Sequence, residues 1–489
     1  MKKNGSLKEK TFKGGIFVFS YRVLQQFLNL IRLVILGRIL GPKDFGIAGI
    51  ALLTITIVDT FTQTGISQAL IQKKEEVDKY LNDAWTFLVL RGIFLSIFLL
   101  ISSSFIGNFF NSNESINAIR VLSIYFLFQS SLNIGVVVLW QRELQFKIFF
   151  IYQFIGIITE FFVSIFFALI FKNFWALIFG TISKSFVLLI TSFLIHPYKP
   201  KFAFNIKILS PLISFGKWIL ISNVILFFLN QGGDIIIGKI LGAYFLGLYQ
   251  VAFRISNLPT TEITWAVSQV VFPAYSRIQE IKEKLKKGYL QTFSIISIFA
   301  FIFTLWIIIF GNPFVKIFLG EKWIEIILPM KILALWGFLR AHSATTGPFF
   351  QAIGKPYFAT LYQFIRLLIF GIIVYPFTKF FGIVGTSLAI LTSAFFVDIF
   401  AIFHVFKIIE SKIKEIFEIF LPSILSSFIS FIFIIIFEKF FISNYNIFNF
   451  FIIFFLFTFL YIFSFLFFIN FLKNENFLEI KNLFLKTIK

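Results

Sequence analysis

Five polar side chains recur along the first long apolar stretch at steps of one, three and four: Arg22, Gln25, Gln26, Asn29 and Arg32. On a helix of 3.6 residues per turn they share one face. The next apolar stretch repeats the device with Thr56, Asp59, Thr60, Gln63 and Ser67. A charge at membrane depth costs about 2.5–3.5 kcal/mol on insertion scales, so such residues persist where they face a bundle interior or a wet cavity. Guanidinium, amide, carboxylate and hydroxyl groups arranged this way suit the passage of something polar across a bilayer. They give no nucleophile with its base and no metal-ligand cluster.

The elements that must position these groups are membrane helices. The chain is 58% hydrophobic and 14% charged, where soluble domains average about 25% charged residues. Fourteen apolar stretches fall near 14–40, 45–71, 84–107, 118–140, 148–171, 174–196, 211–241, 245–276, 288–311, 324–350, 357–378, 382–408, 416–438 and 446–471. Each approaches or exceeds the roughly 20 residues that a spanning helix needs. The expected fold class is an all-α polytopic membrane protein of about 14 transmembrane helices.

The net charge of +21 has a topological reading. With the N-terminus in the cytoplasm and alternation thereafter, cytoplasmic segments hold about 26 Lys/Arg and external ones about 9, which obeys the positive-inside rule. Both termini then lie in the cytoplasm, and a nucleic-acid partner is not required. The tail contributes Lys2, Lys3, Lys8, Lys10 and Lys13; the stretch Arg277–Lys287 adds five more and admits a surface helix on anionic lipid or a solvated loop. A cleaved signal peptide is not expected, because the first apolar run is long and holds two arginines. Cysteine is absent, which excludes disulfides and Cys-ligated metal. No cofactor or metal motif is present. The 78 Phe residues, with abundant Ile and Lys, read more as the mark of an AT-rich genome than of selection, and the Phe/Ile/Leu of the last two stretches as lipid-facing packing.

An internal repeat organises the chain. Gly37-Arg38-Ile39-Leu40-Gly41 followed by Gly46 returns as Gly238-Lys239-Ile240-Leu241-Gly242 followed by Gly247. Gly15 and Asn29 match Gly216 and Asn230 at the same offset. Six spans separate the copies, so both run in the same direction, which is the parallel-repeat arrangement. The expected organisation is a six-helix lobe over 1–210, a second over 211–410, and two additional helices with a tail over 411–489. The repeat places a second polar wall on Asn223, Asn230 and Asp234, and on Arg254, Asn257, Thr261 and Ser268 with Trp265 beside them. Pro259 and Gly232-Gly233 are candidate hinges or packing sites.

The run Leu36-Gly37-Arg38-Ile39-Leu40-Gly41-Pro42-Lys43-Asp44-Phe45-Gly46 resembles bacterial oligosaccharide flippases, closest to the polysaccharide and teichuronic or colanic acid exporter branch. Gly65-Ile66-Ser67-Gln68-Ala69-Leu70-Ile71-Gln72 and Gln141-Arg142-Glu143-Leu144-Gln145-Phe146-Lys147 are similar to the same branch. The resemblance covers about the first two-thirds of the chain. It implies a two-lobed alternating-access transporter of the multidrug/oligosaccharidyl-lipid/polysaccharide exporter superfamily, in the bacterial cytoplasmic (inner) membrane. The implied substrate is a polyprenyl-pyrophosphate-linked oligosaccharide moved to the outer leaflet for cell-surface polysaccharide such as lipopolysaccharide O-antigen or exopolysaccharide. A polysaccharide polymerase and glycosyltransferases are the protein partners that this role admits.

Within the spans the basic residues are Arg22, Arg32, Arg91, Lys184, Lys217, Arg254, Lys331, Arg340 and Arg366; the acidic ones are Asp59, Glu160, Asp234, Glu262 and Asp398. A cavity lined by this set is net cationic, and arginine suits bidentate phosphate contacts. The expected substrate-binding residues are Arg22, Gln25, Asn29, Arg32, Asp59, Gln63, Asn230, Asp234, Arg254, Asn257, Arg340 and Arg366. Two readings stay open for several. Arg32 lines the cavity or snorkels outward. Arg91 with Asp59, and Lys184 with Glu160, line it or form structural pairs. Asp59, Asp234 and Asp398 bind a coupling ion (H+ or Na+) or pair with an arginine. Other functions remain as alternatives: a multidrug or cation antiporter, which the basic majority disfavours; a lipid II flippase; and a membrane polysaccharide polymerase or glycosyltransferase. The last wants placed carboxylates or a long extramembrane loop, and the sequence offers neither, so no enzyme activity is expected.

Overall fold

Gly41 and Pro42 turn the chain sharply between α1 (Leu7–Ile39) and α2 (Pro42–Thr62). Pro42 occupies the first helical position, where a missing N–H leaves no bond unmade. Asp44 sits in the first turn, where the helix dipole favours a carboxylate. It accepts from the Gly41 amide at 3.0 Å and from the Phe174 amide at 3.1 Å. The Gly-Pro-Lys-Asp sequence is therefore a helix start that also anchors a distant turn.

The computed structural model describes residues 7–73, 77–143, 145–441, 446–472, 477 and 479. After α2 come α3 (Ile66–Gln72), α4 (Asp78–Phe109), α5 (Asn113–Leu122), α6 (Ile124–Ser130), a π-turn over Gly135–Leu139, α7 (Trp140–Arg142), α8 (Phe146–Phe171), α9 (Trp175–Ile195) and α10 (Ile206–Ile240). Then follow α11 (Ala243–Ile278), α12 (Lys282–Phe314), a π-turn over Val315–Leu319, a 3-10 turn over Glu321–Ile326, α13 (Ile327–Ser343), α14 (Thr346–Ala352), α15 (Tyr357–Ile408), α16 (Ile413–Phe441) and α17 (Ile447–Phe471). No strand occurs among the described residues.

Every expected apolar stretch coincides with helical structure, but eight helices among the described residues are long and apolar enough to cross a membrane. The difference has physical causes. Polar stripes lower the hydropathy of α1 and α11, and the α10 side chains at 213–219, 221 and 222 lie outside the described residues. The stretch 118–140 breaks into short pieces, and 324–350 divides into α13 and α14. The two stretches 357–378 and 382–408 are two helices that follow one another without a loop, carried together as α15 and divided by a kink at Gly382. There φ is 60° and ψ is −141°, a conformation open essentially to glycine alone. Pro259 leaves α11 continuous, and α10 runs through Gly232-Gly233 unbroken. Arg277–Lys287 is no separate surface helix: it comprises the last turn of α11, a short link and the first turns of α12.

Contacts divide the chain into Met1–Gln250 and Val251–Lys489. In the first unit α8 and α9 form a hairpin, α1 lies on α8, and α10 packs on α2 and α3. In the second, α12 packs on α13 and α16, α13 on α15, and α16 on α17. Its core includes Tyr275, Tyr289, Phe293, Phe349 and Phe406. Both copies of the repeated glycine motif occupy helix–turn–helix corners, α1 to α2 and α10 to α11. α17 shows how phenylalanine is used. Phe450, Ile453, Phe457, Tyr461 and Phe465 recur at steps of three and four and are buried, while Phe448, Phe455, Phe459 and Phe463 face outward. The chain is thus a multi-pass membrane protein whose outward aromatic faces meet acyl chains.

Candidate functional site

The N-terminal unit holds three polar groupings at membrane depth. In the first, α1 brings Arg32 against Glu160 of α8, and Lys184 of α9 reaches the other oxygen of that carboxylate at 2.9 Å. Two cations share one acid, so the grouping keeps a net positive charge. In the second, Arg91 of α4 meets the end of α2. Its Nη2 donates to Asp59 Oδ1 at 2.7 Å, to Thr62 Oγ1 at 2.7 Å and to the Asp59 carbonyl at 3.3 Å. Orphan acceptors at a helix C-terminus are thereby met by a cation, as the dipole favours. Beside this pair lies a cavity of about 320 Å3 lined by Asp59, Gln63, Ser67, Gln68, Arg91 and Gln129, among others. In the third, Asn223 of α10 donates to Gln63 at the rim of that cavity, and deeper on α10 Asp234 is buried, accepting from Gln250 at 2.7 Å.

The remaining expected residues of this unit are less enclosed. Arg22, Gln25 and Asn29 are half-buried on α1, and Gln25 and Asn29 make no side-chain hydrogen bond among the described residues. Asn230 is exposed and donates to the Leu226 carbonyl of its own helix at 2.8 Å.

The C-terminal unit gathers two arginines on one indole. Arg340 of α13 and Arg366 of α15 lie over the ring of Trp336, 4.9 and 5.6 Å from its centroid. Arg340 Nη2 donates to Thr261 Oγ1 at 2.5 Å and to Thr260 Oγ1 at 3.3 Å. The acid that faces them is Asp398, whose Oδ2 stands 3.7 Å from Arg366, an ion pair longer than a hydrogen bond. Nε of both arginines and Oδ2 of Asp398 are buried without hydrogen-bond partners. Two guanidiniums with spare donors against one carboxylate make a cationic cluster able to accept a further anion. The face of Trp336 offers both guanidiniums a cation–π contact. On α11, Arg254 is exposed, while Asn257 is buried, donates to the Phe253 carbonyl at 2.9 Å and leaves its Oδ1 without a partner.

Of the expected residues the structure therefore brings Arg340 and Arg366 together, joins Asp59 to Arg91, and sets Gln63 at the same cavity as Asp59. It places Arg32 in a buried ion pair with Glu160 rather than at an outward-snorkelling position. The pairs Arg91–Asp59 and Lys184–Glu160 are both present. Leu144 lies outside the described residues, as do the side chains of Lys217, Trp265 and Ser268. Sequence reasoning missed Trp336 and Gln129. Trp336 carried a readable signal, since it precedes Arg340 by four positions and so shares its helix face; Gln129 carried none.

Residues 35–328 match the family described as polysaccharide biosynthesis protein. The lipopolysaccharide biosynthesis protein WzxC of Escherichia coli (strain K12) is 26% identical over 432 residues, covering 86% of each chain. The teichuronic acid biosynthesis protein TuaB of Bacillus subtilis (strain 168) is 21% identical over 351 residues, 71% of this chain and 72% of that one. Among solved structures, the lipid II flippase MurJ in an inward closed conformation superposes with a TM-score of 0.75 at 17% identity, over 94% of this chain and 99% of MurJ. At that identity the likeness speaks for the fold.

Proposed function

Since the chain belongs to the polysaccharide biosynthesis protein family, we propose that it is a flippase, a transporter and not an enzyme, for a polyprenyl-pyrophosphate-linked oligosaccharide. It works in the bacterial cytoplasmic membrane with both termini in the cytoplasm and carries its substrate to the outer leaflet. The observation that carries the reading is the pair Arg340 and Arg366 over Trp336 with both Nε donors unmet. A pyrophosphate admitted as the protein changes conformation would supply the acceptors these buried donors lack, and contacts made away from bulk water are strengthened. Amide and hydroxyl side chains suit sugar hydroxyls, and the N-terminal unit carries a cavity with such groups at Gln63, Ser67, Gln68 and Gln129. The prenyl chain needs no polar enclosure and stays in lipid. The two repeat halves, 1–210 and 211–410, alternate access to the cytoplasmic and external faces, and 411–489 adds two helices to the second.

The test is a cell lacking its own exporter of this kind and complemented with this chain. Arg340→Ala and Arg366→Ala variants that insert at normal levels should lose surface polysaccharide at least about tenfold, the effect of roughly 1.4 kcal/mol. Labelled lipid-linked oligosaccharide should accumulate on the cytoplasmic leaflet at the same time. Unchanged export by the double variant sinks the proposed role of the arginine pair.

A further inference from the structure

α12 ends at Phe314, and the chain turns through Val315–Leu319 and Glu321–Ile326 before α13 begins. At that end α12, its π-turn, α13 and α16 border an open cavity of about 830 Å3. Its lining divides by chemistry. Ile308, Phe431 and Ile435 supply an apolar wall, and Phe431 and Ile435 continue onto the exposed outer face of α16. Asn312, Lys316 and Lys331 supply the polar part. Lys331 is half-buried one turn into α13, roughly 6 Å from the helix start at 1.5 Å per residue. Neither lysine makes an ion pair among the described residues. The nearby acids Glu321 and Glu325 do not line the cavity.

A snorkelling lysine needs only an escape to the interface. Here Lys331, half-buried and without an ion-pair partner among the described residues, and the exposed Lys316 border one open, mostly apolar volume, where an anion would offset the cost of the partly desolvated Lys331. The geometry points to a binding site for an anionic phospholipid. Its headgroup phosphate meets Lys316 and Lys331, its polar ester and hydroxyl region meets Asn312, and an acyl chain lies along Ile308, Phe431 and Ile435. The cavity opens beside the lipid-facing side of α16, so such a lipid enters sideways without passing through protein. These residues are separate from Arg340 and Arg366, so transport and phospholipid binding are read by different variants.

The test uses the full chain, purified in detergent and stripped of lipid, with the thermal midpoint as readout. It is titrated with short-chain phosphatidylglycerol, phosphatidylcholine of equal chain length, inorganic phosphate and farnesyl pyrophosphate. Phosphatidylglycerol should raise the midpoint saturably, and phosphatidylcholine and inorganic phosphate should not. Lys316→Gln with Lys331→Gln should raise the half-saturating phosphatidylglycerol concentration about tenfold or more, given the contribution of a lysine near an anionic headgroup. Lys412→Gln with Lys414→Gln, which removes the same charge elsewhere, should not. Lys331→Arg, which keeps the charge, should retain the response and guards against a folding artefact. Equal responses to the two phospholipids, or equal responses of wild type and the Lys316/Lys331 variant, overturn the proposal. A matching response to inorganic phosphate also overturns it, by assigning the lysines to a free anion. A stronger lysine-dependent response to farnesyl pyrophosphate overturns it too, by assigning the cavity to a prenyl pyrophosphate.

Discussion

Gly46 and Gly247, the matched glycines of the internal repeat, meet each other: a Cβ built on Gly247 would lie 2.8 Å from the Gly46 amide nitrogen and 1.9 Å from the Pro42 carbonyl oxygen. The contact is reciprocal, since a Cβ on Gly46 would lie 1.6 Å from the Ala243 carbonyl oxygen. Pro42 and Ala243 are themselves equivalent in the repeat. The first turns of α2 and α11 thus cross backbone to backbone about a local two-fold relation, and only glycine admits that approach.

Alanine at either glycine is therefore disfavoured despite its better helix propensity. Propensity favours Ala over Gly by about 1 kcal/mol, whereas forcing backbone atoms apart in a packed interior costs about 1–3 kcal/mol. The groups that must move are carbonyls, so the clash wins. Gly46→Ala and Gly247→Ala should each lower the unfolding midpoint in detergent, and the double variant by less than their sum, because one separation relieves both. Gly371→Ala, where a Cβ meets nothing within 4 Å, should be neutral or stabilising. Equal behaviour at all three positions would show that the crossing is looser than described.

Glu160 balances one buried and one half-buried cation, so its loss should exceed the loss of either partner. Glu160→Gln leaves Arg32 and Lys184 without an acid, a change of the class that costs about 3–5 kcal/mol. Lys184→Met should cost far less, about 1 kcal/mol, because Arg32 still holds the carboxylate. Replacing Arg32 and Glu160 together by Met should recover much of the loss. Urea or heat titration of the four purified variants orders them, and a Lys184→Met variant weaker than Glu160→Gln contradicts this account.

These groupings mark what a single chain of letters could disclose. Hydropathy located each apolar stretch, and depth alone suggested that Arg91 would find Asp59 and Lys184 would find Glu160. The third member, Arg32, was not legible, because stripe position on α1 says nothing about which face α8 turns toward it. Arg340 and Arg366 were identifiable as buried charges, but their convergence on Trp336 depends on how α15 lies against α13. The break near Gly382 was legible in part, since hydropathy separates 357–378 from 382–408 but does not say which residue carries the kink. Local chemistry was readable; contacts across distant helices needed the packed structure.

Arg91 ties the end of α2 to α4, and its two partners should respond unequally to mutation. Arg91→Met strips donors from Thr62 and from the Asp59 carbonyl as well as from the carboxylate. Losing hydrogen bonds from a charged group costs about 1.5–3 kcal/mol. Asp59→Asn should cost less than about 1 kcal/mol, because the Asp59 side chain is 52% exposed and water replaces its partner. Protease cleavage near residues 63–65, where the helix stops, reports the difference directly. Arg91→Met should speed cleavage while Asp59→Asn leaves it near the wild-type rate; the reverse order would place the restraint on the carboxylate.

His196, just beyond α9, supplies a pH dependence whose sign follows from its contacts. Its Nδ1 accepts from the Tyr198 amide at 3.1 Å, and its ring packs on Trp140 with centroids 5.3 Å apart. Protonation turns that acceptor into a donor facing another N–H. Burial lowers the imidazole pKa below its usual 6.5; Glu143 opposes that shift and Lys199 adds to it. A group whose folded pKa is depressed contributes stability that is fully present above the unfolded value and is lost as pH falls through the folded one. The unfolding midpoint in detergent should therefore hold steady above about pH 6.5 and decline below it. His196→Asn, whose side-chain oxygen can accept from the same amide without titrating, should start less stable and show a shallower decline from pH 7 to 5. Parallel curves for the two proteins would move the acid sensitivity to another group.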